Sequence, residues 1–128
     1  MSSFTKPLVV EFIKDNTWEV KEEFCYIVGS IDIGRVITVP IGFQTDFASI
    51  PRIFWSILSP TGKYGKAAVI HDFLYSRKGR LDKVTYSRKQ CDNIFLEAMC
   101  VLNVGRFTRW IIYNAVRWFA GFAWKKSN

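Results

Sequence analysis

The residues of this chain whose types and spacing could do chemistry are His71, Asp72 and Tyr75, followed at a distance by Asp92. His71 is the only histidine in 128 residues. In a helix, positions i and i+4 share a face, so His71 and Tyr75 point the same way. Asp72 then points roughly 100° away, toward another partner. Asp92, on a later helical segment, could accept the imidazole N–H, fix the tautomer and leave the other ring nitrogen free as a base. Tyr75 could hold the same carboxylate through its hydroxyl. The same residues could instead form a polar knot in a helix core. Asp46 allows two readings as well. It is a turn-former capping a short helix, or it is delivered toward His71 and Asp72 with the Thr45 and Ser49 hydroxyls orienting it. Two carboxylates near one histidine suit a divalent cation or a general acid/base pair. No Gly-x-Ser-x-Gly nucleophile elbow and no Walker-type phosphate loop occurs.

The elements that must position these residues divide the chain. Leu8–Ile13 reads as a strand, followed by a turn at Lys14–Thr17. Trp18–Val28 alternates, with Trp18, Val20, Phe24, Tyr26 and Val28 on one face, as a half-buried antiparallel strand does. Arg35–Phe43 is β-branched, and Pro40 marks its end or a sheet edge. Ser49 and Pro51 open a short helix through Leu58, and Ser59–Gly65 is a loop. A helix over Lys66–Arg77 carries His71, Asp72 and Tyr75. Lys78–Lys83 is a basic loop. Thr85 or Ser87 caps a helix running to Asn103, on which Asp92 points inward. A last helix spans Arg106–Trp124. There Phe107, Trp110, Ile111, Asn114, Trp118 and Phe122 follow helical spacing, which fits core packing. Tyr113, Phe119 and Trp124 widen the apolar surface beyond one stripe, among Arg106, Arg109, Arg117, Lys125 and Lys126. Tryptophan among cations suits a membrane interface or a neighbouring subunit. The expected architecture is α+β: an N-terminal antiparallel β-meander (1–43), a loop and short helix (44–65), and a helical part (66–128) whose middle two helices pair antiparallel. One domain is expected at this length.

Composition narrows the class. At 49% hydrophobic and 16% aromatic, the chain is globular rather than disordered. The net charge of +7 favours anionic partners. The loop cations Arg77, Lys78, Arg80 and Lys83, with Arg88 and Lys89, form a solvated face without a recognised DNA-binding motif, so specific nucleic-acid binding is not expected. Cys25, Cys91 and Cys100 are an odd number at loose spacing, which fits free thiols in a reducing compartment. Met1–Ile13 does not read as a signal peptide, and no stretch reaches the roughly 18–20 apolar residues of a membrane span. Residence in the cytoplasm is the expected location.

Two resemblances add to this reading. His71-Asp72-Phe73-Leu74-Tyr75, then Cys91-Asp92, resembles the paired helices of phospholipases A2, which carry His-Asp-x-x-Tyr on one helix and Cys-Asp on the other. The resemblance implies a phospholipase A2-like pair in which His71 activates water, Asp72 binds calcium, and Asp92 and Tyr75 orient the histidine. Where that family's glycine-rich calcium loop would fall, Pro51–Trp55 contains no glycine, and its disulfides are missing. Backbone carbonyls of Gly62–Gly65 or the Asp46 carboxylate would have to complete a calcium site. Over Arg35–Trp124 the chain also resembles a phage and prophage family of unknown function, through Val39-Pro40-Ile41-Gly42-Phe43, Thr45-Asp46-Phe47-Ala48-Ser49-Ile50-Pro51-Arg52 and His71-Asp72-Phe73-Leu74-Tyr75. Two functions are therefore expected. One is a phage-encoded, cation-assisted hydrolase acting on lipid or the cell envelope, with His71 as base, Asp92 and Tyr75 as orienters, Asp72 as metal ligand and Asp46 assisting. The other is a non-catalytic virion or assembly protein that meets other phage proteins through its aromatic last helix.

Overall fold

The helix that carries the histidine is buried along nearly its whole length. In a computed structural model describing residues 3–14, 17–29, 31–47, 49–58 and 64–126, helix α2 (Gly65–Ser76) is buried from Ala67 through Tyr75 without interruption. A helix apolar on every side must be covered on every side. The remaining elements supply that cover.

Two small antiparallel sheets precede it. Strands β1 (Ser3–Phe4), β4 (Phe24–Ile27) and β5 (Val36–Val39) form one, in the order β1-β4-β5. Strands β2 (Val10–Lys14), β3 (Thr17–Val20) and β6 (Gln44–Thr45) form the other, in the order β2-β3-β6. The single meander read from the sequence is thus two sheets. The expected strand Trp18–Val28 splits at the exposed Lys21, Glu22 and Glu23, and its halves join different sheets. Its alternation survives the split, because Val20, Phe24, Tyr26 and Val28 are all buried. The expected strand Arg35–Phe43 stops at Val39. Pro40 has no N–H for a ladder, and Gly42 adopts φ 93°, which turns the chain toward β6.

After β6 come a 3₁₀ turn (Arg52–Phe54) and α1 (Trp55–Leu58), then α2, α3 (Arg88–Val101), α4 (Arg106–Phe119) and α5 (Gly121–Lys126). Helix α3 starts at Ser87, whose side chain accepts from the Gln90 backbone while Gln90 bonds back to Ser87, a capping box. It ends where Asn103 takes φ 63° and Val104 N–H reaches the Met99 carbonyl. The expected last helix is interrupted at Ala120, just before Gly121, consistent with the low helix propensity of glycine.

The contacts between α2 and α3 run in opposite directions along the two helices. His71 stacks on Phe95, Tyr75 bonds Asp92, and the Gly79 carbonyl accepts from Tyr86 N–H. The expected basic loop between them is a pinned turn. Leu81 N–H bonds the Val84 carbonyl, Arg80 bridges Thr85, and Gly79 adopts φ 77° with no room for a Cβ beside Tyr86. One core joins Val20, Phe24, Tyr26, Ile37 and Val39 from the sheets with Ile70 and Leu74, Ile94 and Met99, and Ile112 and Val116 from the helices. No described helix is long and apolar enough to cross a membrane. The turn residues Asp15 and Asn16, and Ser59–Lys63 of the expected loop, lie outside the described residues.

Candidate functional site

The fold brings His71, Tyr75 and Asp92 together. His71 Nε2 lies 2.7 Å from Asp92 Oδ1 and donates to it. The Tyr75 hydroxyl donates to the same oxygen at 2.6 Å. Asp92 Oδ2 accepts from Arg117 of α4 at 2.7 Å. His71 and Asp92 are fully buried. Burial by itself would raise the Asp92 carboxyl. The donors from His71, Tyr75 and Arg117 more than offset this and hold it below the usual carboxylate value. Burial first, then the Asp92 charge, pushes the Tyr75 hydroxyl up, so it stays a donor. Burial also pushes the neighbouring Cys91 thiol up to about 12, making it an inert core thiol. Cys25, Cys91 and Cys100 are free thiols.

The other face of α2 meets a loop. Asp72 Oδ2 accepts from the Thr45 hydroxyl at 2.5 Å and Asp72 Oδ1 from the Ser49 hydroxyl at 3.2 Å. Ser49 Oγ is also 3.1 Å from His71 Nδ1. The chain therefore lines up Ser49, His71 and Asp92 through the two ring nitrogens. The loop that delivers Ser49 is strained. Phe47 takes φ 60°, a left-handed conformation that a bulky side chain rarely adopts, while its N–H bonds Thr45 Oγ1. Burial of Asp72, aided by the nearby Asp46 charge, raises its carboxyl although the two hydroxyls and His71 work the other way.

A hydroxyl has one proton, so Ser49 can donate to Asp72 or to His71 but not to both. If Asp72 carries a proton, it can donate to Ser49 Oγ, and Ser49 donates to a neutral His71. If Asp72 is ionised, Ser49 donates to it and Nδ1–H of a charged His71 donates to Ser49. The two arrangements differ by one proton moved along Asp72, Ser49 and His71.

Ser49 is itself buried. It lines a cavity of about 340 Å³ together with Phe47, Ile50, Pro51, Trp55, Phe119 and Phe122, among others. The imidazole itself is sealed, and Ser49 links it to the residues that line this cavity. Trp124 of α5 covers Tyr75 edge-on.

Each expected residue can now be placed. His71, Tyr75 and Asp92 share one network, and Asp72 joins it through Ser49. Asp46 is exposed and acts on Asp72 through its charge. The sequence reading aims the Thr45 and Ser49 hydroxyls at Asp46, whereas the fold aims them at Asp72. Arg117 and Arg88 are the residues that sequence reasoning does not find. Arg88, read as part of a solvated face, instead donates to the Tyr75 oxygen at 3.0 Å and caps α4 by donating to the carbonyls of Val116 and Arg117. Charge alone carries no signal of such an inward role. Among the described residues, both Asp72 oxygens are taken by hydroxyls and no group of three His, Cys, Asp or Glu side chains converges there. Gly62 lies outside the described residues.

Fold and site together define an α+β protein with a buried Ser-His-Asp line braced by tyrosine and arginine. The chain belongs to the family described as protein of unknown function (DUF1353), which matches residues 18–116. That stretch includes Thr45, Ser49, His71, Asp72, Tyr75, Arg88 and Asp92 and stops one residue short of Arg117. The uncharacterized protein y4jT of Sinorhizobium fredii (strain NBRC 101917 / NGR234) is 50% identical over 44 residues, 33% of this chain and 13% of that protein. The aligned part is thus a small fraction of that relative's length. No solved structure matches.

Proposed function

We propose that this protein is a hydrolase of phage or prophage origin that cleaves ester bonds of lipid or cell-envelope substrates, with Ser49 as the group that meets substrate. The observation carrying this reading is the position of Ser49: the residue is among those lining a largely apolar cavity, its oxygen lies 3.1 Å from His71 Nδ1, and His71 Nε2 holds Asp92 at 2.7 Å. In the reaction, His71 Nδ1 takes the Ser49 proton as Ser49 Oγ bonds to the acyl carbon. The ester C–O bond breaks and the leaving alcohol takes that proton back from His71. Water then attacks the acyl-serine with the same base, freeing the acid and restoring Ser49. Asp92 stabilises the imidazolium and, with Tyr75 and Arg117, fixes the ring. Asp72, when it carries a proton, directs the Ser49 proton toward His71. No step is routed through a metal.

A second reading is a non-catalytic phage assembly or virion protein. It is favoured by the complete burial of His71, which lets the cluster act as a tie between the Thr45–Ser49 loop, α2, α3 and α4. The exposed aromatic side of α4 would then meet other particle proteins.

Hydrolysis of fluorescent phospholipid vesicles, with added calcium and with chelator, tests the first reading. A fluorophosphonate label read by mass spectrometry runs beside it. Turnover and an adduct on Ser49 are expected, unchanged by chelator, and Ser49→Ala loses at least about a thousandfold in rate. Chelator-sensitive turnover lost in Asp72→Asn would replace the serine mechanism with the calcium mechanism. Folded wild type that neither turns over nor labels would sink the hydrolase and favour the assembly reading. Detection of the chain in purified particles would then be decisive.

A further inference from the structure

Helix α4 is apolar on two opposite sides. Its inward side carries the buried Ile112 and Val116. Phe107, Trp110 and Trp118 are 74%, 62% and 79% exposed. At about 100° per residue these three fall within about 80° of one another, on the side of the helix away from Ile112 and Val116. A helix with apolar residues on both sides calls for a partner on its second side. Phe119, next in the chain to Trp118, is also exposed and turns to line the cavity that holds Ser49.

Charge identifies that partner. No acidic residue follows Glu97, whereas Arg106, Lys125 and Lys126 do, beside Arg109 and Arg117, which are held by the Val104 carbonyl and by Asp92. Arg106 is exposed in the first turn of α4, where the helix dipole opposes a cation, whereas Arg109 in the same turn donates to the Val104 carbonyl. An anionic surface would favour a cation at that exposed position. A second copy of this chain would bring the same cations against these and be repelled. Tryptophan side chains suit the headgroup boundary, and arginine stems can lie along apolar surface with their heads in the anionic layer.

We propose that the outward side of α4, continued by Phe119 at the cavity mouth, docks on an anionic phospholipid bilayer. This deepens the hydrolase reading by naming the surface from which its substrate would come. It rests on the surface residues alone, so binding and turnover can fail separately.

The test is co-sedimentation of the full chain with vesicles of phosphatidylcholine alone and of phosphatidylcholine with phosphatidylglycerol. Tryptophan quenching by brominated lipid gives the depth. Binding to the anionic vesicles is expected to exceed binding to neutral ones by at least about tenfold and to fall steeply with added salt. Trp110→Ala with Trp118→Ala should weaken binding about tenfold or more and reduce quenching. Arg106→Gln with Lys125→Gln should lose the preference for phosphatidylglycerol while circular dichroism is unchanged. All four positions are on the surface, so these variants should fold. Ser49→Ala should bind like wild type, which separates docking from catalysis. Equal binding to both vesicles, or none, would overturn the proposal. So would a wild-type oligomer that Trp110→Ala with Trp118→Ala dissolves, because the surface would then be a protein interface.

Discussion

Asp92 accepts from His71, Tyr75 and Arg117 inside a sealed core, so each donor is held by a charge that has nowhere else to go. Replacing it with asparagine leaves Arg117 without its carboxylate and puts an amide against the ring. Loss of one partner of a buried ion pair costs about 3–5 kcal/mol, and Asp92→Asn should lower stability by that order in chemical denaturation. Tyr75→Phe removes one donor to Asp92 and the oxygen that Arg88 reaches, and should cost about 1–3 kcal/mol. If Tyr75→Phe proves the more damaging of the two, Asp92 is not the centre of the network. Much of this was legible in the sequence. A histidine and a tyrosine four apart on a helix must share a face, and Asp92 lies on the next helix one turn before Phe95. Ser49 was legible as a turn and cap former or as a group orienting Asp46, not as a partner of His71. Its approach to His71 depends on a loop whose path is set by Phe47 at φ 60°, a conformation that sequence pattern does not announce.

At the scale of elements, the turn between α2 and α3 fixes the register that puts Asp92 opposite His71 and Tyr75. Gly79 carries two demands at once: φ 77° and a position where an added Cβ would lie 2.0 Å from the Tyr86 carbonyl oxygen. Gly79→Ala should therefore cost at least about 2 kcal/mol, from strain at positive φ and overpacking together. Ser87→Ala, which removes one half of the α3 capping box, should cost only about 1 kcal/mol. Thermal denaturation of the two variants checks this ranking, and equal losses would mean that the turn is softer than its geometry implies. The starts and stops of α2 and α3 were readable from such local signals. The exposed side of α4 was not. Helical spacing made Phe107, Trp110 and Trp118 a credible core stripe, yet Ile112 and Val116 face inward and the aromatics face out. Two apolar stripes on one helix give the same periodicity, and only the neighbouring elements decide between them.

Across the whole molecule the two buried carboxylates oppose each other in pH dependence. The Asp92 carboxyl is held below its ordinary value of 3.8 in the folded chain. Its stabilisation is therefore complete above that value and is lost as pH falls through the depressed one. The Asp72 carboxyl is raised above 3.8. Its favourable contribution is complete below 3.8 and is lost as pH rises through the raised value. An asparagine at position 72 keeps an acceptor for Thr45 and offers a permanent donor to Ser49. Asp72→Asn should thus match wild type near pH 3.8 and gain in Tm relative to it as pH rises toward neutrality. A gap that stays constant with pH would mean that Asp72 is not the titrating group. By itself the sequence determined the α+β order, the helix carrying His71 and Tyr75, the inward Asp92 and the basic, aromatic end of the chain. Those features follow from local periodicity, capping and composition, which act between near neighbours. Only the tertiary structure decided that the strands form two sheets, that Ser49 stands between Asp72 and His71, that Arg117 and Arg88 turn inward, and that α4 shows its aromatics outward. Each of these joins residues far apart in the chain, and long-range packing selects one arrangement among several that local preferences allow equally.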